Sequence, residues 1–313
     1  MMQVDLAQAI TLLKRGEVVA IPTETVYGLA ADASNDAALH QIYAIKQRPA
    51  DNPLIVHIAD VSQVLDFAKE FPPLAQKLAA AFWPGPFTLV LPAKESVSKI
   101  VRGNQPTVAL RVPSHPLTLQ LLKESGLALA APSANKFTQL SPTTAAHVSA
   151  GLGDSVPVLD GGACKVGIES TIVSVQGKNW QLLRLGMVPE ANIHALAGVP
   201  ALKSEKALPK APGQHKLHYS PNTPIQLFAS RAALLNEAEN NQAKCVALLI
   251  GEGKKPSCQF VQLNANAADV AEKLYASLHK LDALGVQKLL IEAPPSAPEW
   301  LAILDRLTRA AQT

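Results

Sequence analysis

The chain has 313 residues, 48% of them hydrophobic, 17% charged and 4% aromatic, with a formal net charge of +3. That length holds one large or two ordinary domains, and the apolar fraction excludes a disordered or collagen-like chain. The weak basic excess admits an anionic ligand such as a nucleotide or RNA without requiring one.

The first residues, MMQVDLAQAI, carry Asp5 and no long apolar stretch, unlike a secretory leader. No apolar run reaches the ~20 residues of a membrane helix. The expected setting is therefore cytoplasmic, with no membrane partner. Residues 3–15 set Leu6, Ile10 and Leu13 on one face, which predicts a helix stopped by Gly16. Buried strands are expected at 18–21, 54–58, 88–91, 108–112, 127–131, 170–175 and 181–185. Helices are expected at 36–46, 61–71, 73–82 and 143–148. Alternating strands and helices imply an α/β layer fold.

From about Leu196 the pattern loses its periodicity and gains prolines, as a functional or linking segment does. Beyond it come a strand ending in a Gly turn (KCVALLIGEG) and an amphipathic helix with Val270, Leu274, Leu278 and Leu281 on one face. A further strand (VQKLLIEAPP) and a closing helix (APEWLAILDRLTRAA) follow. The expected division is a first domain over 1–198, a linker over 199–223, and a smaller α/β domain over 224–313. The three cysteines, Cys164, Cys245 and Cys258, are odd in number and lack CxxC spacing. Neither a disulfide framework nor a thiolate zinc site is expected.

Several strand ends carry chemistry. IPTETVYG places Thr23, Glu24 and Thr25 just past a buried strand, where open α/β sheets bind ligands; the plain alternative is a turn whose threonines satisfy local backbone. KQRPADNPL places Lys46 and Arg48 two apart in a loop stiffened by Pro49 and Pro53. Lys46 alone would be explained by the helix dipole, but the pair suits phosphate oxygens. His57, in the strand that follows, reads as a satisfied core histidine. Arg111 and Arg184 lie inside apolar strands, where a charge needs a fixed or substrate-borne partner. APSAN…SPT offers Ser133, Asn135 and Ser141, although Ser141-Pro142 also fits a helix N-cap followed by Pro at N1. GIESTIV sets Glu169, Ser170 and Thr171 at the head of a strand. Four cations and several strand-end hydroxyls suit a polyanion together with a small zwitterion. No P-loop, GxGxxG, HExxH or GxSxG pattern is present.

The ordered series PTETVYGLAADA, KQRPADNPLIVHI, FWPGPFTLVLP, VALRVPSHP, APSAN…SPT and GIESTIV resembles the YrdC-like family nearly end to end. With APGQHKLHYSP and the trailing α/β unit, the chain is similar to its long members, the L-threonylcarbamoyladenylate synthases of tRNA modification. The resemblance implies a twisted open mixed α/β sheet with a basic cavity, plus a smaller Rossmann-like α/β domain. It implies synthesis of threonylcarbamoyl-AMP and pyrophosphate from L-threonine, bicarbonate and ATP, with Mg2+. A downstream transferase complex and a tRNA contact are implied as partners. Carried over by motif, Lys46, Arg48, Asn52, Thr107, Ser133, Asn135, Ser141, Arg184, His218 and Tyr219 would hold ATP. Lys46 and Arg48 would also stabilise the leaving pyrophosphate. Thr25, His57, Arg111, the Ala131 backbone and Ser170 would hold threonine. Some relatives carry more cations before the His-Tyr pair than this chain's Gln214, His215, Lys216 and Leu217.

Two other readings stand beside it. A hydrogenase-maturation carbamoyltransferase would be expected to bring Cys clusters, which are missing. A non-catalytic RNA-binding module would be expected to show aromatic stacking surfaces and more basic charge.

Overall fold

The computed structural model describes residues 1–202, 211–213 and 218–312. The chain opens with β1 (Met2–Val4), an addition to the expected helix, because residues 2–4 pair in parallel with a distant strand rather than wind. The helix itself, α1 (Leu6–Lys14), starts at Asp5, which accepts from the Gln8 backbone while the Gln8 side chain accepts from the Asp5 backbone. Next come β2 (Val19–Ile21), β3 (Gly28–Asp32) and α2 (Asp36–Lys46), the last capped by Asn35. Gln47 takes a left-handed conformation (φ 52°) and ends α2 at Lys46.

The chain continues through β4 (Ile55–His57) and α3 (Val64–Phe67). The helix expected over 61–71 is thus only a short turn and one brief helix. Ala68 instead bridges Ala93, and Lys69 donates to the Pro92 carbonyl, so edge pairing displaces helix before Pro72-Pro73. Then follow α4 (Pro73–Phe82), β5 (Phe87–Pro92), β6 (Thr107–Arg111), α5 (Pro116–Ser125), β7 (Leu129–Ala130), α6 (Ala145–Leu152) and β8 (Pro157–Leu159). The first half closes with β9 (Thr171–Gln176), β10 (Asn179–Arg184) and α7 (Glu190–Ala197).

Among the described residues, ten strands form one mixed sheet in the order β1-β8-β2-β3-β7-β4-β6-β5-β9-β10. Register sets the site. Parallel pairing of β4 with β6 puts His57 opposite Arg111, and β7 meets β4 from the other side with Leu129 opposite His57. Gly28 bridges Ser133, and a Cβ there would lie 3.1 Å from the Ala131 Cβ, so only glycine lets the two ligand-type loops approach without displacement.

The C-terminal unit holds β11 (Ile225–Phe228), α8 (Arg231–Asn240), β12 (Cys245–Ile250), β13 (Phe260–Leu263), α9 (Ala267–Asp282), β14 (Lys288–Glu292) and α10 (Leu301–Ala310). Its parallel sheet runs β11-β14-β12-β13. The expected face of α9, Val270, Leu274, Leu278 and Leu281, is buried. The same apolar cluster takes in Val26, Leu140 and Ile168 from the first half, so the two units share a core. No helix among the described residues is long and apolar enough to cross a membrane.

Candidate active site

Three arginines that the sequence scatters converge on one cavity. It is lined by Thr25, Arg48, His57, Arg111, Ala131, Ser133, Ser170, Arg184, His218 and Tyr219 among others.

One corner is built on β6. Arg111 ends that strand, 4% exposed, and its guanidinium donates to the Gly85 carbonyl (3.2 Å), Thr25 Oγ1 (3.0 Å) and Glu24 Oε1. Glu24 also accepts from the Ser114 backbone at 3.0 Å. Burial pushes the Glu24 carboxyl up, but the Arg111 charge and the hydrogen bonds outweigh it and hold it below the ordinary carboxylate range. Thr25 is oriented by Thr23, whose hydroxyl lies 2.8 Å from its own. His57 is buried, and its Nδ1 has no hydrogen-bond partner among the described residues. Burial, with Arg111 adding, drives its pKa down to about 3, so it is neutral at physiological pH. The satisfied core histidine expected from sequence holds only in part: His57 is buried, but it lines the cavity and its Nδ1 has no hydrogen-bond partner among the described residues.

A second corner is built on β9 and β10. Arg184 donates to the Ser170 carbonyl and hydroxyl, each at 3.0 Å, and to the Pro212 carbonyl at 3.2 Å. Ser170 is in turn 2.7 Å from Thr88 Oγ1. Glu169 lines the cavity beside it. Its carboxylate accepts from Ser141 Oγ (2.6 Å), from the Tyr275 hydroxyl (3.1 Å) and from Arg306 Nε (2.8 Å). Burial raises the Glu169 carboxyl, yet the Arg306 and Arg184 charges bring it to about 2. The helix-cap reading of Ser141 is overturned: Thr144 caps α6, and Ser141 turns inward to Glu169.

The third wall is the loop after α2, from which Arg48 lines the cavity while Lys46 lies behind the lining. Lys46 is 1% exposed, and its ammonium donates to the Ser133 and Asn135 carbonyls, both at 2.5 Å. Burial, then the neighbouring Arg48 charge, lowers its pKa well below the usual lysine value. Arg48 donates to the Pro53 carbonyl at 3.0 Å and lies over the Phe137 ring; burial lowers its pKa to about 10.

Not every expected residue lines the cavity. The Asn52 carbonyl accepts from the Tyr43 hydroxyl at 3.1 Å, which fixes the loop that carries Arg48. Asn135 uses Nδ2 on the Lys136 and Gln139 carbonyls, while its Oδ1 is buried without a partner among the described residues. Thr107 opens β6, paired with Pro92 at the opposite end of the strand from Arg111.

The linker enters from above. Pro212, Gly213, His218 and Tyr219 all line the cavity, leaving about 50 Å³ of free space. Tyr219 has φ 62° and is buried, with the Arg306 guanidinium 4.8 Å from its ring. Burial holds His218 near 3. Gln214, His215, Lys216 and Leu217, whose sparse charge sequence reasoning noted, lie outside the described residues.

Sequence reasoning missed the roles of Glu24, Glu169, Tyr275 and Arg306. A signal existed for two of them. A strand-borne Arg111 demands a carboxylate, and Glu24 adjoins the flagged Thr25. Arg306 sits between Ile303 and Leu307 on the apolar stripe of α10, where a surface arginine does not belong.

Residues 11–186 match the Sua5/YciO/YrdC family, described as telomere recombination, and residues 185–312 match the threonylcarbamoyl-AMP synthase C-terminal domain. A threonylcarbamoyl-AMP synthase from Bacillus subtilis is 40% identical over 98% of this chain and 93% of its own length. One from Pyrococcus abyssi is 36% identical over 96% of this chain and 92% of its own. The crystal structure of P. abyssi Sua5 complexed with L-threonine superposes with a TM-score of 0.90 at 34% identity, covering 99% of this chain and 97% of that one.

Proposed function

Because the chain belongs to the Sua5/YciO/YrdC family and carries the synthase C-terminal domain, we propose that it makes L-threonylcarbamoyl-AMP and pyrophosphate from L-threonine, bicarbonate and ATP. The observation that carries this reading is the meeting of Arg48, Arg111 and Arg184 with Thr25, His57 and Ser170 around one cavity. Such a site can take a triphosphate and an amino acid together.

Bicarbonate takes up a proton and loses water to give CO2, and the threonine amine adds to the CO2 carbon and loses a proton, giving a carbamate. A carbamate oxygen then attacks the α-phosphorus of ATP, and the α–β bridging oxygen leaves with pyrophosphate. No protein nucleophile is needed, so the chain contributes position and charge. On the threonine side, Arg111 pairs with the substrate carboxylate, Thr25, Ser170 and the Ala131 backbone fix the amino acid, and neutral His57 offers a hydrogen bond without repelling the amine. On the nucleotide side, Lys46 and Arg48 meet the phosphates and offset the charge on the leaving pyrophosphate. Asn52, Thr107, Ser133, Asn135, Ser141, Arg184, His218 and Tyr219 complete that side.

The donor set does not suit a resident magnesium ion. Glu169, which lines the cavity, and Glu24, behind it, are taken by Arg306 and Arg111, and the described residues contain no cluster of three metal-type side chains. Magnesium enters as part of the Mg-ATP substrate.

The linker, taken as residues 199–223 between domains 1–198 and 224–313, acts as a lid. About 50 Å³ is far below the roughly 300–1,000 Å³ of small-molecule sites, so the His218–Tyr219 segment moves aside to admit ATP. When closed it shields the carbamate, which loses CO2 in water. The enzyme works in the cytoplasm and passes its product to a transferase complex acting beside the tRNA anticodon, where it also meets the tRNA. The hydrogenase-maturation and RNA-binding alternatives are not favoured, since relatives matching the chain along its length are named as synthases.

Lys46→Ala and Arg48→Ala are each expected to cut pyrophosphate release by about two orders of magnitude or more. Near-parental turnover in both variants would overturn the nucleotide-side assignment.

A further inference from the structure

The C-terminal domain places one charged side chain at the back of the cavity. Arg306 is 1% exposed and anchored on α10 between the core residues Ile303 and Leu307. Its fork is pinned in three directions. Nε donates to Glu169 (2.8 Å), one terminal nitrogen to Asp305 (2.7 Å) and the other to the Leu185 carbonyl (2.8 Å). The flat face of the same group carries the Tyr219 ring at 4.8 Å.

These contacts reach three parts of the site. Glu169 accepts from Ser141, and so sets the rotamer of that hydroxyl. Leu185 directly follows Arg184, whose guanidinium holds Ser170 and the linker's Pro212. Tyr219 packs into the apolar cluster of the second domain, with Tyr275 beside it at a ring separation of 5.9 Å. A buried arginine on a helix of another domain is an expensive way to neutralise one carboxylate, since burying an ion pair rarely adds net stability. Its geometry makes sense if the contact has to transmit position. A Lys would keep the charge but lose both the fork and the flat face.

We propose that Arg306 is a positioning residue for the nucleotide side of the cavity, acting through Glu169 on Ser141 and through its stacked face on Tyr219. The second domain thereby completes a site whose substrate contacts all lie outside it. This rests on the assignment of Ser141 and Tyr219 to the nucleotide side. On the threonine side, Glu24 and Arg111 have no hydrogen bond to Arg306 among the described residues, and Ser170 is reached only at second hand, through Leu185 and Arg184.

The test measures KM for ATP, KM for threonine and kcat by pyrophosphate release in the full-length chain, together with the melting temperature. Three variants are compared with the parent: Arg306→Lys, the double variant Glu169→Gln/Arg306→Gln, and Ser141→Ala. The double variant removes both charges of the buried Glu169–Arg306 pair, and Asp305 keeps Arg309, so it keeps the fold testable if single changes unfold the protein. Arg306→Lys and the double variant are expected to raise KM for ATP about tenfold or more, with KM for threonine within about twofold of the parent. The double variant should do so with a near-parental melting temperature, which a merely structural role would not produce. Equal shifts in both KM values, or ATP affinity that returns with stability in the double variant, would overturn the proposal. An unchanged KM for ATP in Ser141→Ala overturns the nucleotide-side assignment itself. A raised one beside normal kinetics in Arg306→Lys overturns only the coupling.

Discussion

The cavity has two buried carboxylate–arginine corners, and they are built by opposite means. Glu24 and Arg111 both belong to the large mixed sheet and its loops, 87 residues apart in sequence, and strand register fixes the arginine. Glu169 and Arg306 are 137 residues apart and lie on different sheets' frameworks, joined only where the two units share a core. Each carboxyl is held below its ordinary range against the effect of burial. The first corner is therefore a property of one domain, whereas the second exists only while both domains are docked. The C-terminal domain supplies no residue to the cavity lining but braces Glu169 and Tyr219, which do line it, from behind.

The largest effect should come from breaking the first corner. Arg111→Ala leaves Glu24 buried and unpaired, and is expected to cost about 3–5 kcal/mol of stability in urea unfolding. Threonine-dependent pyrophosphate release should fall with it by about two orders of magnitude. If stability stays parental, Glu24 has another partner and the corner is not an ion pair that matters. Arg306→Ala should cost a similar amount, about 3–5 kcal/mol, but its kinetic signature should fall on ATP. Parallel loss of threonine affinity would erase the distinction between the corners.

Acid separates the histidines from the carboxylates. His57 and His218 have pKa values of about 3 against an ordinary 6.5, so the unfolded chain binds their protons first. Their contribution is complete above pH 6.5 and is lost as pH falls from there toward 3. Glu169, at about 2 against 4.5, adds its loss only as pH falls from 4.5 toward 2. Stability plotted against pH should thus bend first near 6.5. His57→Gln, at the first corner, and His218→Gln, at the second, should each remove up to about 1.4 kcal/mol per pH unit from the slope between those limits. A slope unchanged in both variants would mean that these histidines are already charged in the folded state.

The smallest effect belongs to a pair outside the cavity. Lys69 and Glu95 are 3.7 Å apart on the surface, with side chains 55% and 92% exposed. Lys69→Ala should change stability by about 0–1 kcal/mol, and the change should shrink with added salt. A loss comparable to that of Arg111→Ala would show that burial is not what sets the two corners apart from a surface pair.

Much of the frame is legible from local pattern. The α2 and α4 helices carry clear caps, a left-handed exit or prolines, and β4, β5 and β6 are apolar runs of the right length. The three-residue strands β1 and β8 are too short to show a period and exist because they pair with each other. Residues 28–32, GLAAD, are neither alternating nor β-branched and carry no strand signal of their own; their partners β2 and β7 make them a strand. In the site, cations inside apolar strands stood out, as buried charge must have a reason. Their carboxylates did not, because Glu24 sits among turn residues and Glu169 waits on an arginine from another domain. His57 was read only in part for a related cause: a lone strand histidine reads as core, and only the sheet shows that this one also lines the cavity.

The central claim is that one cavity joins threonine, CO2 and ATP. Full-length protein incubated with all three substrates, and then with each omitted in turn, tests it most directly, with pyrophosphate and threonylcarbamoyl-AMP both measured. The account predicts that the two products appear together and only in the complete mixture. Pyrophosphate released without threonine, or no adenylate from the complete mixture, would contradict it.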